Sequence, residues 1–161
     1  MVSYIREDGM FSDKWTIRFM NLCSVVSSWS KDPSTKVGSV IVDDQKRIIS
    51  VGYNGFPRGV DDRDSRYEDR PTKYKMVCHA ERNALDNAPI PVEGATMFAT
   101  LMPCSECAKS IIQRGIKKVV VPPWPGRDNY DWDTDIYNWK ISDLMFKEAG
   151  VELVFFSRRN S

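Results

Sequence analysis

The sequence predicts an α/β fold of three layers, with helices on both faces of a five-stranded mixed sheet. Apolar, β-branched runs alternate along the chain with segments of helical period. The last two of these runs are separated by 29 residues that carry a helical pattern of their own. A connection that long suits a crossover, so the last two strands are expected to be parallel. At 161 residues the chain has the size of one domain. Such a chain buries about 68–70% of its unfolded surface, and its core needs no disulfide. All of 1–161 is read as one domain, with roughly 11 N-terminal and roughly 5 C-terminal residues as tails.

Each element has a local reason. Ser12 or Asp13 can cap a first helix whose apolar residues, Trp15, Phe19, Leu22, Val26 and Trp29, step by four and three. Asp32-Pro33 ends it. Val37 to Val42 and Ile48 to Tyr53 are strands, joined through the polar hairpin loop Asp43 to Arg47. Residues 54–78 show no clear period. Within them Asp61 to Lys75 holds ten charges in fifteen residues and reads as a solvated loop, whose exposed ion pairs contribute little. His79 to Ala88 reads as a short helix stopped before Pro89, Thr96 to Leu101 as the third strand, and Ser105 to Arg114 as a helix closed by Gly115. Lys118 to Val121 and Val151 to Phe156 complete the sheet. The crossover helix is marked by Tyr137, Ile141, Leu144 and Met145.

Composition argues against some classes of function. Lys and Arg total 23 against 22 Asp and Glu, a net charge of +1. A protein that wraps nucleic acid or grips an anionic membrane carries a larger basic excess, so polynucleotide binding is disfavoured. The N-terminus lacks the apolar run of a signal peptide, and no stretch approaches the ~20 apolar residues of a membrane span. A cytoplasmic location is expected. There, Cys23, Cys78, Cys104 and Cys107 suggest metal or catalysis more than disulfides.

Two pieces carry chemistry: His79-Ala80-Glu81 and Pro103-Cys104-Ser105-Glu106-Cys107. Each falls where the chain enters the first turn of a helix. Cys-x-x-Cys at a helix start aims both sulfurs at one point, and the helix dipole favours thiolates there. With a neutral imidazole these fill three positions of a tetrahedral zinc, leaving the fourth for water. Zinc lowers the pKa of such a water to about 7, and Glu81 is close enough to shuttle its proton. A redox Cys-x-x-Cys is the alternative for the second piece alone. Together, H-x-E followed by P-C-x-x-C is the zinc deaminase signature. A structural zinc would need a fourth ligand, but Cys78 is adjacent to His79 and Cys23 sits on a core-facing helix. Both read as small buried hydrophobes.

With these motifs the chain resembles the cytidine and deoxycytidylate deaminase superfamily, and within it the deoxycytidylate deaminases. The resemblance runs from about Trp15 to Phe156 and includes Ser30-Lys31-Asp32-Pro33-Ser34-Thr35-Lys36-Val37-Gly38, Gly52-Tyr53-Asn54-Gly55-Phe56-Pro57 and the stretch Lys73 to Ala84. It implies a cytidine-deaminase-like fold and zinc-dependent hydrolysis of dCMP to dUMP and ammonia, in the supply of thymidylate precursors. Water activated by zinc would attack C4 of the ring, with Glu81 moving protons to N3 and to the departing amine. The resemblance places Asn54 at the deoxyribose and makes Lys36 and Tyr130 candidates for the 5′-phosphate. It implies one zinc per chain, since His79 is the single histidine. It also implies a homo-oligomer, often a hexamer. A regulatory site for dCTP and dTTP would involve Gly52, Tyr53 and Gly55, with Mg2+ accompanying the triphosphate.

Three rivals remain. A tRNA adenosine-type deaminase usually has a short loop where this chain has 54–78. A free-cytidine deaminase would join its last strands by a hairpin. A non-catalytic zinc-stabilised binding module would not need an open fourth position beside Glu81.

Overall fold

The apolar runs become strands β2 (Gly38–Val42), β3 (Ile48–Tyr53), β4 (Thr96–Ala99), β5 (Lys118–Val121) and β6 (Glu152–Arg158), preceded by a short β1 (Tyr4–Arg6). The structure is a computed structural model, and it describes residues 4–6, 14–128, 131 and 134–158. Sheet order is β1-β6-β5-β4-β2-β3. β2 lies antiparallel between β3 and β4, while β4, β5 and β6 run parallel, as the long crossover predicts. β1 adds a sixth, antiparallel strand on β6, within residues read as a tail. Three residues carry too little pattern to announce a strand; the exposed edge of β6 supplies the pairing.

Helix α1 (Lys14–Ser27) covers one face of the sheet; α4 (Ala80–Asn87), α5 (Ser105–Gln113) and α6 (Trp139–Glu148) cover the other. The expected cap at Ser12 or Asp13 lies outside the described residues. Alternation along the strands sorts the two cores. Val40, Val42, Phe98 and Val120 meet Phe19, Met20, Cys23 and Val26 of α1. Ile41, Met97, Ala99, Val119 and Val121 meet Ala84, Leu85, Ala108, Ile111 and Phe146. Strands covered on both faces read as continuous apolar runs, which is why they were visible in the sequence.

Two expectations need correction. Residues 54–78 are not one irregular loop, because they contain α2 (Asp64–Glu68) and α3 (Arg70–Met76). The apolar spacing of the crossover helix also matches its inward side only in part, since Tyr137 and Met145 pack against the core while Ile141 and Leu144 are exposed. Leu144 is 51% exposed, while Trp139, Ser142, Asp143 and Phe146 are buried. Polar Asp143 can face inward because its carboxylate accepts from Trp124 Nε1 at 3.1 Å.

One glycine decides how the site is held. A Cβ on Gly52 would lie 2.3 Å from the Ala84 nitrogen and 2.4 Å from the Ala80 oxygen, so α4 rests directly on β3. Neither backbone atom can swing aside. G52A is expected to destabilise the fold by about 3 kcal/mol, the upper end of ordinary overpacking. Urea unfolding checks this, and a loss below about 0.5 kcal/mol would mean that α4 is free to move.

Candidate metal centre and active site

His79 is delivered by the end of β3. After the excursion through α2 and α3 the chain returns, and Gly55 and Cys78 exchange backbone bonds of 3.1 and 2.8 Å. Asn83 Nδ2 donates to the Tyr53 oxygen at 2.8 Å, and Ser50 Oγ to the Ala84 oxygen at 2.6 Å. These bonds fix the start of α4, which carries His79 at its cap and Glu81 in its first turn. Cys104 arrives at the C-terminal end of β4 and caps α5, its sulfur accepting from the Cys107 N–H at 3.5 Å. Trp139 Nε1 donates to the Met102 oxygen at 2.8 Å and anchors that approach.

The three predicted ligands come together. His79 Nδ1 lies 3.3 Å from Cys104 Sγ and 3.5 Å from Cys107 Sγ, and all three ligand atoms fall within 4.8 Å of one another. Tetrahedral zinc, with bonds of about 2.3 Å to sulfur and about 2.0–2.1 Å to nitrogen, places its N and S ligands about 3.5 Å apart. The donors and their spacing fit zinc. Among the described residues no other group of three such side chains has this arrangement.

Electrostatics agree. The Cys107 thiol hydrogen-bonds to Cys104, and this bond with help from His79 outweighs burial, pulling the Cys104 thiol down to about 4. Cys107 is pushed far up in return, by that same bond and by burial. A dication displaces the shared protons, so metal uptake releases them. Glu81 is 4% exposed, and burial raises its carboxyl above the usual range, with His79 opposing. Such a carboxyl holds its proton to higher pH than an ordinary one, and its ionised form is a stronger base. Cys23 is buried against the sheet, and burial pushes its thiol up, as a structural cysteine requires. Cys78 is half-buried and takes its place in the backbone pairing with Gly55.

A cleft of about 200 Å³ opens on this cluster. His79, Cys104, Glu81 and Asn54 line it. Asn54 is buried; its Nδ2 donates to the Thr35 oxygen at 2.8 Å and to Asp32 Oδ2 at 3.4 Å, and its Oδ1 accepts from the Val37 N–H at 2.8 Å. One lone pair on Oδ1 is left for a hydroxyl. Lys36 is not brought to the cleft. Its ammonium donates to the Ser30 oxygen at 2.5 Å, so it stiffens the loop before β2 instead. Tyr130 lies outside the described residues. Gly52 sits under α4, Gly55 pairs with Cys78, and Tyr53 is exposed against Trp29 with ring centroids 6.1 Å apart.

The sequence reading missed Asp32, Arg70, Lys73, Tyr74, Val77 and Tyr137, all of which line the cleft. A signal was available, since 70, 73, 74 and 77 follow the spacing of one helical face. Charge density hid it. Asp32, 2% exposed, accepts from Lys73 Nζ at 2.9 Å and from the Ser34 and Thr35 N–H groups at 2.9 and 3.2 Å. Burial, the largest single influence, would raise its carboxyl; the Lys73 bond and the two N–H donors together outweigh it and hold Asp32 below the usual value. Unfolded, Asp32 would titrate near about 3.9. Its stabilising contribution is therefore fully present above that pH and lost as pH falls through the lower folded value. Between about pH 5 and pH 2 the wild-type melting temperature is expected to fall more steeply than that of an Asp32→Asn, Lys73→Met double variant. Parallel slopes would contradict the assignment.

Fold and site define an α/β protein with a zinc-competent His–Cys–Cys triangle beside a buried carboxyl group. The model of the cytidine and deoxycytidylate deaminase zinc-binding region matches residues 13–122. An uncharacterized deaminase of Aliivibrio fischeri is 43% identical over 88% of this chain and 93% of its own length. Deoxycytidylate deaminase of Mus musculus is 39% identical over 92% of this chain and 83% of its own. The crystal structure of dCMP deaminase from cyanophage S-TIM5 in apo form aligns with a TM-score of 0.67 at 26% identity, covering 89% of this chain and 98% of that one. The chain belongs to the cytidine and deoxycytidylate deaminase family.

Proposed function

We propose that this chain, acting as a single domain, hydrolyses dCMP to dUMP and ammonia. The observation that carries the reading is the placement of the His79–Cys104–Cys107 triangle and the buried Glu81 in one cleft with Asn54 and the cationic Arg70. Its relatives in mouse and cyanophage S-TIM5 are a deoxycytidylate deaminase and a dCMP deaminase.

The reaction breaks the C4–N bond to the exocyclic amine and forms a C4–O bond from water. His79, Cys104 and Cys107 would hold zinc, which when bound supplies Lewis-acid activation that brings the pKa of water to about 7. Glu81 accepts the first proton that water sheds and delivers it to ring N3, then carries the second, from the hydroxyl now on C4, to the departing amine, so that the C4 carbonyl forms as ammonia leaves. Burial keeps this carboxyl from losing its proton to bulk water between the two transfers. Asn54 Oδ1 accepts from a sugar hydroxyl. Arg70, whose fork matches a phosphate, takes the anionic end.

The reading extends to a cytoplasmic homo-oligomer regulated by dCTP and dTTP, the triphosphate carrying Mg2+. Family membership supports it, as does the exposed pair Trp29 and Tyr53 next to Asn54 and Gly55. No described helix is long and apolar enough to cross a membrane.

A substrate panel tests the assignment. The zinc-loaded protein, offered dCMP, CMP, dCTP, deoxycytidine and a tRNA hairpin, is expected to release ammonia fastest from dCMP. Deoxycytidine is expected to lag in kcat/KM by about tenfold or more, because each unpaired charge-assisted donor costs about 1.5–3 kcal/mol. Equal efficiency on both would leave a deaminase with a different substrate.

A further inference from the structure

Lys73 is the only buried residue of α3, at 7% exposed. Lysine is rarely buried without a partner, and a seven-residue helix does not hold itself together in water. The anchor of α3 is therefore a charge, and what it is anchored to is Asp32, 41 residues earlier.

The other end of that bond is rigid. Asp32 receives the Ser34 and Thr35 N–H groups and Asn54 Nδ2, while Ser30 Oγ donates to the Asn54 oxygen at 2.8 Å and accepts from the Asp32 N–H at 3.2 Å. The loop before β2 and the end of β3 thus form one fixed wall. α3 is the part whose position depends on the pair. Asp32 also neutralises Lys73, so Lys73 does not serve as the receptor for an anion. Arg70 lines the same cleft one turn earlier, and among the described residues its guanidinium has no hydrogen bond or ion pair.

We infer that the Asp32–Lys73 ion pair is a brace that pins α3 to the Asn54 wall, so that Arg70 meets the 5′-anionic group of the nucleotide. Lys73 is then a positioning residue for substrate specificity. The inference rests on the dCMP reading above.

The test uses the full-length, zinc-loaded protein with dCMP and deoxycytidine. Removing both charges with Asp32→Asn and Lys73→Met avoids stranding either one. This double variant is expected to keep one zinc and to raise KM for dCMP by about tenfold or more, with kcat within about threefold. Its kcat/KM for deoxycytidine should shift by less than about threefold. Arg70→Gln should give the same split, and the triple variant should be no more than about threefold worse than Arg70→Gln alone, because the brace acts through Arg70. Lys73→Arg, which keeps the pair, should stay within about threefold of the wild-type KM. Equal losses on both substrates, losses that multiply in the triple variant, or a Lys73→Arg variant as impaired as the double would overturn the brace. A wild type with no preference for dCMP would overturn the nucleotide reading and the brace with it. A wild type that has the preference, with a double variant that keeps it, would overturn the brace alone.

Discussion

Glu81→Gln is expected to keep zinc and the fold while turnover of dCMP falls by about 10²–10⁴, the usual effect of removing a general acid–base group. Glutamine has the shape of glutamic acid and carries no charge, so it suits the buried position at the start of α4. It can neither accept the proton from water nor return one to N3 and the amine. The proposed proton transfers occur in the transition state, so the loss should appear in kcat more than in KM. Metal content, circular dichroism and kcat together check this. A variant with more than about a tenth of wild-type activity would remove Glu81 from the proton path.

Cys104→Ser should act on the metal and spare the helix. Cys104 caps α5 through its sulfur, and serine is among the best N-caps, so the local backbone bond survives. What disappears is a thiolate ligand. Zinc bound by the folded chain contributes to folding free energy, by about 10–16 kcal/mol in small zinc-stabilised peptides, and a serine hydroxyl replaces little of it. This domain has two apolar cores of its own, so it should remain folded but melt lower, bind less than about a tenth of an equivalent of zinc, and show no turnover. Chelator-treated wild type should melt at a similar temperature. A variant that retains one tightly held zinc would show that the triangle has been misassigned.

The metal site and the central strands were legible because each is encoded locally. β2, β4 and β5 are covered on both faces and need no partner to be recognised, and His79, Glu81, Cys104 and Cys107 announce themselves by residue type and spacing. What escaped depends on partners distant in the chain. Lys73 is buried only because Asp32 is there to meet it, so a run of charges that reads as solvated contains a cleft wall. Lys36 looked free for a phosphate, yet the Ser30 oxygen holds it. In α6 the apolar positions Ile141 and Leu144 face outward, while Ser142 and Asp143 turn inward; Ser142 donates to the Asn138 oxygen and Asp143 accepts from Trp124. Side chains such as these are placed by hydrogen-bond partners, to which hydrophobic period is blind.

Mass spectrometry of the product formed from dCMP in heavy-oxygen water tests the account most directly. Hydrolysis at C4 predicts dUMP carrying one heavy oxygen on the ring, formed by the zinc-loaded wild type and at most about a hundredth as fast by Glu81→Gln. Unconverted dCMP, or dUMP with no label at C4, would contradict it.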